Sequence, residues 1–138
     1  MTGSELSVRP DLPGPRAGED PVLAIRCGFR LNAVVVTAEG EIDIDTAPEL
    51  ERGLVAALDA ATAATSAVIV VLDLAGVTHL DSSGLNMVVR CNDLGSRRGV
   101  SLRLVVSTHR VLRPITATGL DGVFTIYPTL EGALAAVS

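Results

Sequence analysis

The sequence predicts an α/β domain built on a mixed β-sheet, with the element order β-β-α-β-α-β-α-β-α. Short runs rich in Val and Ile alternate with amphipathic stretches that repeat apolar residues every three or four positions. The first two runs, at residues 21–27 and 33–38, are joined closely, which indicates an opening hairpin. The run at 68–72 is almost wholly aliphatic, as expected for a central strand covered on both faces.

The middle of the chain supplies two helices around a loop. Thr46 and Glu49 have the spacing of a capping box, which predicts a helix from there to about residue 64. Residues 75–80 are predicted to form a loop. A second helix is expected to begin near Ser82 or Ser83 and to end around residues 97–99, where two arginines and a glycine suit a C-terminus.

The C-terminal third is predicted to contain a strand, a helix, a short strand and a last helix, at residues 100–106, 108–119, 123–126 and 130–137. Ser107 or Thr108 is the expected cap of the first of these helices, and Thr129 that of the second. Pro114 would remove a backbone hydrogen bond inside its helix, so it predicts a kink or a late helix start.

Composition narrows the class of protein. The chain has 138 residues, 48% of them hydrophobic, which is enough for one domain, placed at residues 21–138. Residues 1–20 alternate Pro and Gly with charges, and they predict a disordered tail whose regulatory role is less favoured than simple mobility.

The net charge of −5 argues against nucleic acid as a partner. Without a signal peptide or a long apolar run, no membrane is expected and a cytoplasmic location is the default.

Cysteine and histidine residues indicate no metal site. Cys27 and Cys91 each fall in an apolar pattern, so both are predicted to be buried small hydrophobic residues. His79 and His109 have no Cys or His at metal-ligand spacing.

The segment Asp81-Ser82-Ser83-Gly84 is the strongest candidate site. It places two hydroxyls and a carboxylate at a predicted helix start, where free backbone N–H groups favour a phosphoryl group. Taken alone, Ser82 is more often a helix cap. Asp81 is either a cap or turn residue, or a group that orients the Ser82 hydroxyl or engages a kinase. Hydrolase chemistry is disfavoured because the G-x-S-x-G elbow is absent, and the lack of any Lys excludes a P-loop.

Three blocks of the sequence resemble the STAS-domain anti-sigma factor antagonists. They lie at residues 38–47, 71–85 and 117–120, in the order and spacing of that family, and the resemblance covers about residues 22–137. It implies a STAS-type mixed sheet with helices packed mainly on one side. It also implies a regulatory binding protein that is not an enzyme and has no cofactor.

The resemblance implies a phosphorylation switch. The family's acceptor maps to Ser82, with Ser83 as the less favoured alternative. The unphosphorylated form is expected to bind an anti-sigma factor with an ATPase and serine-kinase fold, which releases sigma factor. A serine phosphatase is expected to return phosphorylated protein to the unphosphorylated form. The implied partner-binding residues are Asp43, Asp45, Thr46, Asp81, Ser82, Ser83, Gly84 and Asn86.

The sequence departs from the family pattern in three places, and an alternative function is kept beside the leading one. Asn86 stands where many relatives carry Gly, Pro114 interrupts the third helix, and the proline-rich tail is extra. The alternative is a STAS interaction module in a non-sigma or stressosome-like pathway that is not switched by phosphate.

Overall fold

A computed structural model describes residues 23–30, 32–63 and 69–135. Its five strands are β1 (Leu23–Arg30), β2 (Ala33–Ile42), β3 (Ile69–Leu80), β4 (Ser101–Val105) and β5 (Thr125–Tyr127). They follow one another in space as β1-β2-β3-β4-β5, with β1 antiparallel to β2 and every other pair parallel. The predicted mixed sheet and opening hairpin are confirmed. The predicted tail at 1–20 lies outside the described residues, as do residues 64, 68 and 136–137 at the ends of predicted elements.

Three helices cover one face of the sheet and a short helix covers the other. The helices are α1 (Ala47–Ala63), α2 (Ser82–Arg97), α3 (His109–Ala117) and α4 (Leu130–Ala135). The larger core cluster joins alternate strand residues such as Val34 and Leu72 to Leu54 of α1. The smaller cluster joins Val35 and Val71 on the opposite face to α4. The expectation that helices pack mainly on one side is confirmed.

In addition to its apolar contacts, helix α4 is bound to the sheet by Arg103. Arg103 of β4 donates a hydrogen bond from Nη1 to the carbonyl of Ala133 at 2.9 Å. Its guanidinium carbon lies 5.7 Å from the centre of the Tyr127 ring, within the range of a cation–π contact. The predicted cap of this helix is confirmed, since Thr129 Oγ1 accepts from the N–H of Gly132 at 2.9 Å. None of the helices in the described ranges is long and apolar enough to cross a membrane.

Strands β2 and β3 are longer than predicted. The predicted loop at 75–80 is wrong, because these residues continue β3 as far as Leu80. They pair with an equally unpredicted extension of β2, with Glu39 opposite Gly76 and Ile42 opposite Leu80. A Cβ on Gly76 would lie 2.7 Å from Cγ of Glu39, so glycine permits this close approach.

Other observed element boundaries also differ from the predicted ones. Strand β1 extends to Arg30 rather than ending at residue 27, and the last strand is Thr125–Tyr127 rather than 123–126. Helix α3 begins at His109 and contains Pro114, so the predicted late start is wrong. Thr108 occupies the N-cap position of this helix but makes no side-chain cap hydrogen bond.

The two cysteines differ in environment. Cys91 is buried in α2, as predicted, and burial raises the pKa of its thiol to about 11, so it is neutral at physiological pH. The prediction of burial is wrong for Cys27, which is exposed. The apolar alternation of β1 continues past the part of the strand that α1 covers, which leaves Cys27 and Phe29 facing outward.

Candidate functional site

Two of the three segments that resemble the antagonist family, residues 38–47 and 71–85, meet at the carboxyl end of the sheet. Parallel strands β2 and β3 end side by side, with Ile42 paired to Leu80. The N–H of Asp81 then donates to the carbonyl of Ile42 at 3.2 Å, which joins the residue after β3 to the last residue of β2. The turn at 43–46 and the start of α2 at 81–84 therefore form one continuous surface, called here the Asp43–Asp81 surface.

Asp43 and Thr46 fix the turn that follows β2. Asp43 Oδ1 accepts from the N–H groups of Asp45 and Thr46 at 2.9 and 3.1 Å. Thr46 Oγ1 donates to the carbonyl of Glu41 at 2.8 Å and accepts from the N–H of Asp43 at 2.9 Å. The predicted capping box with Glu49 does not form, because Asp43 takes the N–H of Thr46 and the Thr46 hydroxyl points back toward β2.

Asp81 is the cap of α2. Its backbone is extended, and its Oδ1 accepts from the N–H groups of Ser83 and Gly84 at 2.9 and 3.2 Å. Ser82 is therefore the first helical residue rather than the cap. Its side chain is exposed, and no hydrogen bond joins its hydroxyl to another described residue.

Gly84 lets α2 approach the end of the sheet. A Cβ at this position would lie 2.5 Å from Cγ2 of Ile42 and 2.6 Å from Cδ1 of Leu80. Real Cβ atoms do not come so close to neighbours, so any side chain would displace the helix start or the two apolar residues beneath it. The position of Ser82 relative to Asp43 depends on this glycine.

A shallow groove of about 270 Å³ adjoins this surface, between the first turns of α1 and α2. Its lining residues are Ile44, Ala47, Pro48, Glu51, Ser83, Asn86 and Arg90. Arg90 Nη2 lies 3.0 Å from Glu51 Oε1, an ion pair that spans the two helices. The hydrogen bond from Arg90 and the charge of Glu51 raise the pKa of the arginine further above its ordinary value.

The predicted site residues lie close together in the structure, but they differ in solvent exposure. Asp45, Ser82 and Asn86 are exposed, with Asn86 one helical turn beyond Ser82. Thr46 and Gly84 are buried, so they shape the surface from beneath. Sequence reasoning missed Ile44, whose side chain is 71% exposed. An isoleucine between two aspartates in a turn was the available signal.

The histidines lie elsewhere. Both His79 and His109 are exposed, and among the described residues no hydrogen bond joins either of them to a serine. Within those same ranges, no group of three His, Cys, Asp or Glu side chains is arranged to hold a metal ion. The features that distinguish this site are accessible hydroxyl, carboxylate and apolar groups on a surface, an arrangement suited to recognition by another protein.

Comparison with known proteins agrees with the geometry. The model of the STAS domain matches residues 25–133. The anti-sigma-F factor antagonist RsfA of Mycobacterium tuberculosis is 33% identical over 105 residues, covering 76% of this chain and 80% of that protein. The anti-sigma-B factor antagonist of Bacillus subtilis is 30% identical over 103 residues, covering 75% and 89%.

A solved structure of an anti-sigma factor antagonist also resembles this chain. The crystal structure of an anti-sigma factor antagonist from Mycobacterium paratuberculosis superimposes with a TM-score of 0.74 at 33% identity, covering 83% of this chain and 93% of that one. The chain therefore belongs to the family of STAS-domain anti-sigma factor antagonists.

Proposed function

We propose that this protein is an anti-sigma factor antagonist controlled by phosphorylation at Ser82. The unphosphorylated form binds an anti-sigma factor with an ATPase and serine-kinase fold through the Asp43–Asp81 surface, and sigma factor is released. The same partner phosphorylates Ser82 and so ends the interaction, and a serine phosphatase reverses the modification. The names of the relatives in Mycobacterium and Bacillus support the antagonist role.

The observation that carries the proposal is the setting of Ser82. It is an exposed residue at the start of α2, next to a turn that the Asp81–Ile42 hydrogen bond holds in place. Ser83 is a poorer acceptor by geometry, because it is half-buried and its N–H is bound to Asp81. A kinase reaches the Ser82 oxygen without unfolding the helix.

A phosphate at Ser82 would lie next to a second negative group, the carboxylate of Asp81. The Asp81 carboxylate already occupies two amides of the first turn, and it is itself negative. Phosphorylation adds about −1.5 to −2 charges. In the free protein water screens the repulsion between the two groups, whereas an interface excludes that water, so the penalty falls on the bound state.

The electrostatic penalty of phosphorylation is large enough to switch partner binding off. One like-charge contact at about 4 Å costs on the order of 4 kcal/mol at an effective dielectric constant of about 20. That energy corresponds to roughly a thousandfold loss of affinity. The fold itself tolerates the modification, since a negative group near a helix N-terminus is favourable by about 0.3–1 kcal/mol when exposed.

The acceptor is tested by incubating the protein with a cognate kinase and labelled ATP. Wild type and Ser83→Ala are expected to incorporate phosphate at the same rate, and Ser82→Ala to incorporate none. Ser83→Ala is the matched control because it removes the neighbouring hydroxyl from the same helical turn. Phosphate uptake by Ser82→Ala at the wild-type rate would refute the assignment.

A further inference from the structure

The groove beside Ser82 has an apolar wall and an acidic rim. Ile44 stands at one side with 71% of its surface exposed, and Ala47 and Pro48 continue the apolar surface. Large exposed apolar side chains are uncommon in the described part of this chain, where Phe29 and Val123 are the other two. An apolar residue exposed within a groove favours contact with a partner.

Charge around the groove is one-sided. Glu51 lines the groove, and three further carboxylates adjoin its lining residues in the sequence; together they are called here the acidic rim: Asp43, Asp45, Glu49 and Glu51. Arg90 is the one cation among the described residues that line the groove, and its guanidinium is held by Glu51 at 3.0 Å. Carboxylates therefore outnumber cations around the groove, and complementary charge steers binding and sets specificity.

We propose that this groove receives an apolar side chain flanked by Arg or Lys residues of the anti-sigma factor, with Ile44 as the main apolar contact. This inference rests on the proposed function and extends the partner surface beyond Ser82 to α1 and Arg90. Ser83 and Asn86 line the groove and offer hydrogen-bonding groups, and the Glu51–Arg90 ion pair spans it from α1 to α2.

The decisive variant is Ile44→Ser, measured by calorimetry with the full-length protein and the purified anti-sigma factor in the absence of ATP. Phe29→Ser and Val123→Ser are matched controls, since they remove exposed apolar side chains at other places, 61% and 52% exposed. Ile44→Ser is expected to weaken binding roughly 10- to 100-fold, the effect of losing a central contact residue. The controls are expected to stay within about twofold of wild type, as usual for residues outside an interface.

The acidic rim is tested separately with Asp45→Asn. Asp45 is exposed and its carboxylate makes no hydrogen bond to another described residue, so the fold does not depend on its charge. This variant is expected to slow association and to weaken the dependence of the association rate on salt concentration. An unchanged salt dependence would overturn the basic partner chemistry.

The outcomes separate the two proposals. If wild type fails to bind the anti-sigma factor, both the proposed function and this inference are overturned. If wild type binds and Ile44→Ser binds equally well, the inference alone is overturned. It is also overturned if Ile44→Ser converts a dimer to a monomer in light scattering, or if it binds more tightly, because the groove is then occupied by this chain itself.

Discussion

Asp81 has two physically separable roles at the start of α2. Its carboxylate accepts two backbone hydrogen bonds, from Ser83 and Gly84, which stabilises the first helical turn. Its negative charge also borders the residue proposed as phosphoacceptor. Asparagine keeps the first role, since it caps helices about as well as aspartate, and removes the second.

We expect Asp81→Ala to lower the free energy of unfolding by about 1 kcal/mol, the usual cost of losing a helix cap. Urea denaturation measures this value, and Asp81→Asn is expected to remain near wild type. Thr108→Ala is the matched control, because Thr108 holds the N-cap position of α3 without a side-chain cap hydrogen bond. A control that loses as much stability as Asp81→Ala would contradict the role of the cap.

The hydrogen bonds of individual polar residues near the candidate site were harder to predict than the positions of these residues in the fold. Local spacing favoured Thr46 as a helix cap, yet its hydroxyl bonds to Glu41 and Asp43 instead. Which groups the Thr46 hydroxyl binds depends on the direction in which β2 enters the turn. That direction is set by tertiary structure rather than by local sequence. Ser82 was correctly placed at the helix start, but the capping role belongs to Asp81, one residue earlier.

At the level of elements, the contact between α2 and the ends of β2 and β3 positions the site. Gly84 is the point of closest approach, directly above Ile42 and Leu80. Helix propensity favours Ala over Gly by about 1 kcal/mol. At position 84, steric overlap between an added Cβ and the side chains of Ile42 and Leu80 opposes this preference for Ala.

We expect Gly84→Ala to destabilise the protein by about 1–3 kcal/mol, because overpacking costs more than propensity returns. Gly122→Ala is the control, since no atom lies within 4 Å of the position its Cβ would take. Chemical denaturation of both variants gives the comparison. A Gly84→Ala protein more stable than wild type would show that the helix start adjusts without cost.

The C-terminal part of β3, residues 75–80, could not be predicted from the sequence. The aliphatic run at 68–72 predicted the buried half of the strand, because burial on both faces leaves a clear pattern. Residues 75–80 include exposed Gly76, Thr78 and His79 and resemble a loop. Their strand conformation comes from pairing with the extension of β2, a long-range contact that outweighs local preference.

For the whole molecule, the fold separates the core from the proposed recognition surface. The core lies between the sheet and its helices, whereas Ser82, Asp45, Ile44 and Asn86 lie on the outer surface at one end of the sheet. The order of strands and helices could be predicted from apolar patterns, whereas the one-sided packing was implied by the family resemblance. The exposed Ile44 and the groove could not, because they depend on how the turn at 43–46 directs its side chains.

The affinity of the phosphorylated protein for the anti-sigma factor is the most direct test of the central claim. Protein phosphorylated at Ser82 is expected to bind about a thousandfold more weakly than unmodified protein, the size expected from one close like-charge contact. Its thermal midpoint is expected to change by only a few degrees, because Ser82 is exposed and outside the core. Equal affinity of the two forms, at equal stability, would contradict the claim and favour an interaction module that phosphate does not switch.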